Sequence, residues 1–550
     1  MGVLVPSLLR TGALAAAALI IAVPAAHGIP EEPSEVAVKR GDRTVGGLPN
    51  SAKPLFSRRE VRELEERAER LGRPMPDLRK WYRVPTTSRG EARREAARIR
   101  REFGDHAHVM EPPAPPPVDE MCKLPPAGGW PGFWEGKESP WLVPHQDYRG
   151  GLGFAQAPGA TGDGVTIATV EYAWSPEHEA VAHHDLDEPY FPFWWSHGDA
   201  VLSVLGGSDE EGSVRGLAPE ARLDPRSPIP PTGFDLPGTI VSAAADLDVG
   251  DVLLIEQQAW APEYGEQEIL GPVEIDPAIR AAIEAAVASG VTVVEPAGNN
   301  EGGGLDIVKD LGLKGNSGAL IVSAGGSPQH ADNGHRAGFS NYGSRVDFHA
   351  QGEALVAAGY GDLNPGMPIH RQYSACFGGT SGAAAIVAAA AAAVQGEAID
   401  SGRGPLSPTE LRGRLRIGAL PQHDPKDDGL IGPQPWIPAA ADFSAPRAPG
   451  IEGPAAGAVV AGPNVTLRWR SEHEQGGSAR LHDEVRVNGN VVGHAPPGQG
   501  FLGVTLGSGT YTWSVRSADV AGNARQSNGT FHVEAADSDP DTAVSGSGGS

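Results

Sequence analysis

From Gly378 to Val394 the chain carries no charged side chain: Gly378-Gly379-Thr380-Ser381-Gly382 runs into Ala383-Ala384-Ala385-Ile386-Val387 and then alanines to Ala393. Alanine favours helix, and its small side chain lets such a helix pass close to neighbouring layers of a fold. Ser381 falls in its first turn, where unpaired backbone N–H groups converge, and the two glycines let the chain turn tightly beside a ligand. Gly-Thr-Ser before a buried helix is equally an ordinary loop and N-cap. Ser381 is a nucleophile only if a base, an orienting acid and an oxyanion donor stand elsewhere in suitable contexts.

The layers are visible between about residues 140 and 443. Val165-Thr166-Ile167-Ala168-Thr169-Val170, Val252-Leu253-Leu254-Ile255, Val291-Thr292-Val293-Val294 and Ala319-Leu320-Ile321-Val322 are short apolar, largely β-branched runs suited to a parallel sheet. Asp276-Pro277 opens a helix that Gly290 ends, and Ser407-Pro408-Thr409-Glu410 opens another. Strand, helix and strand in alternation predict a doubly wound α/β domain.

Other segments differ in character. Residues 1–28 hold Arg10, an apolar stretch from Gly12 to Val23 and small residues after Pro24, the pattern of a secretory signal peptide. Residues 29–120 follow as a separate unit. From Ser57 to Gly104, 15 Lys and Arg stand against 9 Asp and Glu, in a chain whose formal net charge is −25. Opposite charge favours docking of this stretch on the remainder. Ser57-Arg58-Arg59-Glu60 and Ser88-Arg89-Gly90-Glu91 match capping boxes, and Gly72 and Gly104 mark helix ends. Val61, Leu64, Ala68 and Leu71 form one apolar stripe, and Leu78 to Val84 is extended, giving a small α/β unit before the proline-rich connector at 111–117. Residues 451–534 alternate apolar and polar, with turns at Asn488-Gly489 and Ala521-Gly522-Asn523. They predict an immunoglobulin-like or fibronectin-type β-sandwich, followed by a disordered tail at 535–550.

Three further motifs complete the requirements of Ser381. His197, in Trp195-Ser196-His197-Gly198-Asp199, precedes a small-residue helix and is the candidate base. Asp199, two residues on, points to another helix face and is not expected to pair with the imidazole. Glu171 ends the first parallel strand, the place where open α/β sheets carry functional residues. It is the candidate orienting acid, with Asp185 and Asp187 as loop-borne alternatives. Asn299, in Ala297-Gly298-Asn299, follows a buried strand and is the candidate oxyanion donor, a role worth about 3 to 4 kcal/mol.

In this order the motifs resemble those of subtilisin-like serine proteases, with Glu171 where the family's aspartate stands. Ala337-Gly338-Phe339-Ser340-Asn341-Tyr342-Gly343-Ser344 resembles a structural loop of the same family. Sedolisins share the Gly-Thr-Ser serine but lack a histidine followed by glycine, and His197 argues against them. The resemblance implies a secreted endopeptidase acting on proteins or peptides, with residues 29–120 as a pro-segment that assists folding and inhibits the enzyme. It also implies that the edge Ile255 to Trp260, with Gln257 and Gln258, holds a peptide by β-pairing. No cofactor is implied, and structural calcium is compatible with the family.

His178, His183, His184 and Asp185 are residue types that ligate metal, but this stretch reads better as a solvated loop. The acidic balance disfavours nucleic acid as a partner, and no span of the bilayer is expected after processing. Cys122 and Cys376 are the two cysteines. A bond between them would contribute roughly 5 kcal/mol in the chain-entropy model, and two buried thiols are the alternative. The competing function is an inactive extracellular binding protein with the β-sandwich as its recognition module.

Overall fold

The computed structural model describes residues 35–41, 48–104, 106–111, 114, 146–190, 194–208, 214–230, 233–261, 269–300, 302–326, 334–364, 366–444, 446–471, 482–496, 498–519 and 521–535. The signal-peptide segment, most of the proline-rich connector, Cys122 and the tail from 536 lie outside these residues.

In the N-terminal unit, β1 (Glu35–Lys39), β2 (Lys53–Pro54), β3 (Trp81–Pro85) and β4 (His106–Met110) form a sheet in the order β2-β3-β1-β4, beside α1 (Arg58–Arg70) and α2 (Arg89–Phe103). Gly72 and Gly104 end the helices at φ of 66° and 65°, conformations that favour glycine. Ser88 caps α2 by accepting from the Glu91 N–H. The predicted capping box at Ser57 does not form, because Ser57 makes no side-chain cap and Glu60 is drawn to Ser242 of the next domain. Val61, Leu64 and Ala68 are buried as the stripe predicted, whereas Leu71 lies at the margin, 36% exposed.

After α3 (Asp147–Gly151) the larger domain is built on β5 (Thr166–Val170), β6 (Arg222–Arg226) and β7 (Val252–Ile255). A side hairpin of β8 (Gln258–Trp260) and β9 (Leu270–Pro272) follows, then β10 (Thr292–Pro296), β11 (Leu320–Gly325) and β12 (Phe348–Gln351). Six of these strands make one parallel sheet in the order β12-β11-β10-β7-β5-β6. Alternate residues face opposite layers. Ile167, Val252, Leu254 and Val322 join a core with α4 (Trp195–Gly206) and α7 (Gly379–Asp400). Ala168, Val170, Leu253, Ile255 and Val293 join a second core with α5 (Leu236–Asp246) and α6 (Pro277–Ala288). The alanine helix α7 is long and apolar enough to cross a membrane, but it is buried here as the central helix of the first core.

An antiparallel pair, β13 (Leu355–Ala358) and β14 (Tyr373–Phe377), leads into α7, and α8 (Pro408–Arg416) opens with a complete capping box at Ser407 and Glu410. The C-terminal strands are β15 (Gly450–Gly453), β16 (Ala458–Ala461), β17 (Asn464–Arg470), β18 (His482–Val487), β19 (Asn490–Ala495), β20 (Phe501–Thr505), β21 (Gly509–Ala518) and β22 (Ala524–Glu534). They form sheets in the orders β15-β17-β20 and β16-β22-β21-β18-β19 around a core that includes Trp469, Trp513 and Phe531. Arg414 of α8 donates to the Ala521 carbonyl at 2.8 Å and so ties this region to the α/β domain.

The basic N-terminal unit docks through specific groups as well as net charge. Leu64, Leu78, Trp81 and Met110 share the second core with α5 and α6. The Arg67 guanidinium donates to the Leu247 and Ala244 carbonyls, at the C-terminal end of α5, and to Ser289 Oγ at 3.2 Å. Cations are favoured at that end of a helix. Arg83 meets Asp235 at 2.7 Å, and His108 meets Asp276, the N-cap of α6, at 3.0 Å. Arg67→Ala, made in a Ser381→Ala chain so that cleavage cannot intervene, is expected to lower stability in urea by about 2 to 3 kcal/mol. The exposed Arg59→Ala is expected to change it by no more than about 0.5 kcal/mol.

Candidate active site

Three adjacent central strands end at the same edge of the sheet, and each delivers a polar residue there. β5 is followed by Glu171, β7 by Glu256 and β10 by the loop to Asn299. The first turns of α4 and α7, which pack on one another's side of the sheet, bring His197 and Ser381.

Glu171 is fully buried, and its Oε2 lies 2.8 Å from His197 Nδ1. Its other oxygen accepts from the Tyr172 N–H at 2.9 Å, so the longer side chain folds back on its own backbone while still reaching the ring. Gly198 makes this approach feasible: a Cβ there would lie 2.0 Å from the Ala173 carbonyl oxygen and 2.9 Å from Glu171 Cγ. Phe377 sets its ring edge-to-face against the imidazole, with centroids 5.7 Å apart. His197 Nε2 is buried and has no partner. Asp199 does not pair with the imidazole; its Oδ1 accepts from the Ser175 N–H at 2.7 Å. Asp185 and Asp187, the alternative acids, lie outside this contact.

Asn299 is fixed by the serine loop. Its Oδ1 accepts from the Thr380 N–H at 2.9 Å and from the Thr380 hydroxyl at 3.0 Å, leaving the buried Nδ2 without a partner. Because both of those contacts are donors, the amide must present its NH₂ the other way. Gly379, at φ 76°, passes so close that an added Cβ would sit 3.3 Å from Nδ2. Asn341, in the loop predicted to be structural, donates to the Ala297 carbonyl at 2.8 Å and accepts from Asn300 at 2.7 Å, which braces the Asn299 turn.

Gln257 and Gln258 use their side chains internally. Gln257 donates to the Val170 carbonyl at 3.2 Å, and Gln258 accepts from the Asn299 N–H at 2.7 Å. What this edge offers outward is main chain: the Gln258 carbonyl accepts from the Ala114 N–H at 3.1 Å, and the Tyr172 hydroxyl donates to the Ala114 carbonyl.

Two residues of this site were missed from sequence. Thr380 anchors Asn299, and Glu256 sits beside Ser381, 3% exposed, with its buried carboxyl facing the serine hydroxyl. Burial first, and the Glu171 charge second, hold the Glu256 carboxyl well above its ordinary range, against a smaller opposing effect of the Ser381 hydroxyl. Asp199 is raised in the same way, by burial and by Glu171, against the Ser175 N–H. The strand-end argument that picked out Glu171 applies equally to Glu256, which follows the buried run Val252 to Ile255.

Cys376, five residues before Ser381, is disulfide-bonded. His178, His183, His184 and Asp185 do not converge: His178 meets the Gln372 carbonyl at 2.9 Å and His184 the Gly206 carbonyl at 2.8 Å. Among the described residues, His335, His423 and Asp428 bring metal-ligating atoms within 4.8 Å of one another. Stacking of the two rings and a 2.6 Å hydrogen bond from His335 to Asp428 account for that cluster without an ion.

A strand-end carboxylate, an imidazole, an amide donor and a helix-mouth serine, gathered at the carboxyl edge of a doubly wound sheet, define a serine-hydrolase layout. Residues 162–432 match the model of the subtilase family, peptidase family S8, and this domain belongs to that family of serine-type endopeptidases. No curated protein matches the chain. Among solved structures, fervidolysin from Fervidobacterium pennivorans, a keratinolytic enzyme related to subtilisin, is similar at 15% identity. That match covers 92% of this chain and 78% of the other, with a TM-score of 0.45. The patellamide maturation protease PatA is similar at 23% identity over 51% of this chain and 96% of its own, with a TM-score of 0.38. MycP1 from the ESX-1 type VII secretion system is similar at 21% identity over 57% and 89%, also with a TM-score of 0.38.

Gly198→Ala is expected to separate His197 from Glu171 and to reduce kcat/KM on a peptide substrate by about 100-fold or more. A second expectation concerns acid. Burial pushes the His178 imidazole down to about 4 from 6.5, against the Gln372 carbonyl, and burial pushes His349 to about 4 against the Gly432 carbonyl. Each folded value lies below the unfolded one, so the stabilising neutral form is fully present above pH 6.5 and is lost as pH falls toward 4. Stability in urea should decline across that window, by about 3 kcal/mol for each histidine. His178→Gln should make the decline shallower.

Proposed function

We propose that the protein is a secreted serine endopeptidase made as a zymogen, in which Ser381 attacks the peptide carbonyl, His197 takes and returns the proton, and Glu171 orients the imidazole. The observation that carries this reading is the buried 2.8 Å contact of Glu171 with His197 Nδ1, which leaves Nε2 without a partner in the same site as the serine. Nδ1–H on the carboxylate keeps Nε2 as the basic nitrogen, and the ionised Glu171 stabilises the imidazolium formed as Ser381 loses its proton. Asn299 Nδ2, held outward by Thr380, donates to the oxyanion together with the Ser381 N–H.

Residues 29–120 act as the pro-segment and intramolecular inhibitor. This is supported by their shared core with α5 and α6 and by Ala114, whose main chain bonds to the Gln258 carbonyl and Tyr172 hydroxyl at the edge where a peptide is expected to pair. Secretion is supported by the N-terminal sequence alone. The C-terminal sheets, with their two-layer arrangement and tryptophan core, are an immunoglobulin-like or fibronectin-type module.

Ser381→Ala is expected to abolish autoprocessing, casein hydrolysis and covalent labelling by a fluorophosphonate. Asn299→Ala is expected to lower kcat by about 100- to 1,000-fold. N-terminal sequencing of the exported wild type should place the new terminus after the Ala114 segment. A folded, processed protein that takes no label at Ser381 would instead be a binding protein on a subtilase fold.

A further inference from the structure

We propose that Glu256 is a fourth ionisable member of the active site, pressed against the nucleophile, and that the proton it carries sets the alkaline limit of the reaction. The inference rests on the assignment of Ser381, His197 and Glu171 above. Glu256 is not a surface acid that happens to lie nearby. It is 3% exposed, its N–H donates to the Val170 carbonyl at 3.0 Å, and the pairing of Val170 with Ile255 makes it the cross-strand neighbour of Glu171. Both of its oxygens are buried, and the donor that reaches them is the Ser381 hydroxyl.

A buried carboxylate with no cation beside it and one serine hydroxyl as donor is costly, whereas a carboxylic acid in the same place is tolerated and carries an O–H that can donate. The groups acting on it from neighbouring elements are Glu171, at the end of β5, and Ser381, on α7. Around Glu171 itself stand His197, Asp199 and Tyr172. The sole counter-charge the reaction creates in this space is the imidazolium of His197, and Glu171 already faces it. The negative charge the reaction creates forms on the substrate oxygen, next to Ser381. If Glu256 were ionised, a second fixed anion would stand beside that developing oxyanion in a water-poor site, where like charges repel strongly. Protonated, it leaves the oxyanion to Asn299 and the Ser381 N–H. Loss of this proton should therefore switch the site off as pH rises.

The test is the rate of fluorophosphonate labelling of processed wild type and Glu256→Gln across pH, with peptide kcat/KM measured in parallel. Gln keeps the shape and a donor but cannot ionise. The ratio of the Glu256→Gln rate to the wild-type rate is expected to rise by about tenfold or more between about pH 6 and about pH 9. A thermal-denaturation series supplies a readout independent of chemistry. The folded carboxyl holds its proton above the unfolded value, so wild type should lose stability relative to Glu256→Gln as pH rises from about 4.5, a slope that a merely space-filling residue does not produce. Parallel pH profiles for the two proteins, with labelling intact, would overturn the role of Glu256 alone. A wild type that takes no label at any pH would overturn the peptidase reading and this inference with it.

Discussion

A buried carboxylate facing a buried imidazole is tolerable only if the pair is brought to hydrogen-bonding distance, and in this protein that distance depends on how closely α4 can approach the end of β5. Gly198 decides it, since any side chain at that position would meet the Ala173 carbonyl. The same approach lets Glu171 replace a shorter acid. Its extra methylene is taken up by folding back onto the Tyr172 N–H, not by displacing the ring. From that contact follow the orientation of His197 and the unpartnered Nε2.

Enclosing Glu171 constrains its surroundings. Asp199 and Glu256 occupy the same water-poor region, and burial first, with the Glu171 charge behind it, raises both. One carboxylate is matched by a histidine, and the other two are most cheaply accommodated with their protons on. The serine stands at the margin of this group. Parallel pairing puts the ends of β5 and β7, with Glu171 and Glu256, in register, and the alanine helix lets Ser381 come down close to them.

The N-terminal unit illustrates how charge and packing cooperate. Its net positive charge favours association, but the specificity lies in Arg67 at the end of α5, His108 at the start of α6, and apolar residues that complete the second core. Ser57 shows the local consequence of that docking. Its capping-box pattern was legible, yet Glu60 has a partner across the interface, and the tertiary contact prevailed over the local one.

Short-range chemistry encodes the alternation of buried strands and helices, the glycine stops at Gly72 and Gly104, and the order of Glu171, His197, Asn299 and Ser381. These are legible because periodicity and turn chemistry act over a few residues. β1 and β4 were not legible, since their pairing joins segments about 70 residues apart and is a matter of topology. Nor was the part played by Glu256 or Thr380, because their meaning lies in what stands beside them. Folding turned Gln257 and Gln258 inward, brought Ala114 to the Gln258 carbonyl, and set a second glutamate against Ser381. A side chain's chemistry is fixed by its type, but its protonation and its partner are fixed by burial and neighbours, and those exist only once the strands have been placed side by side.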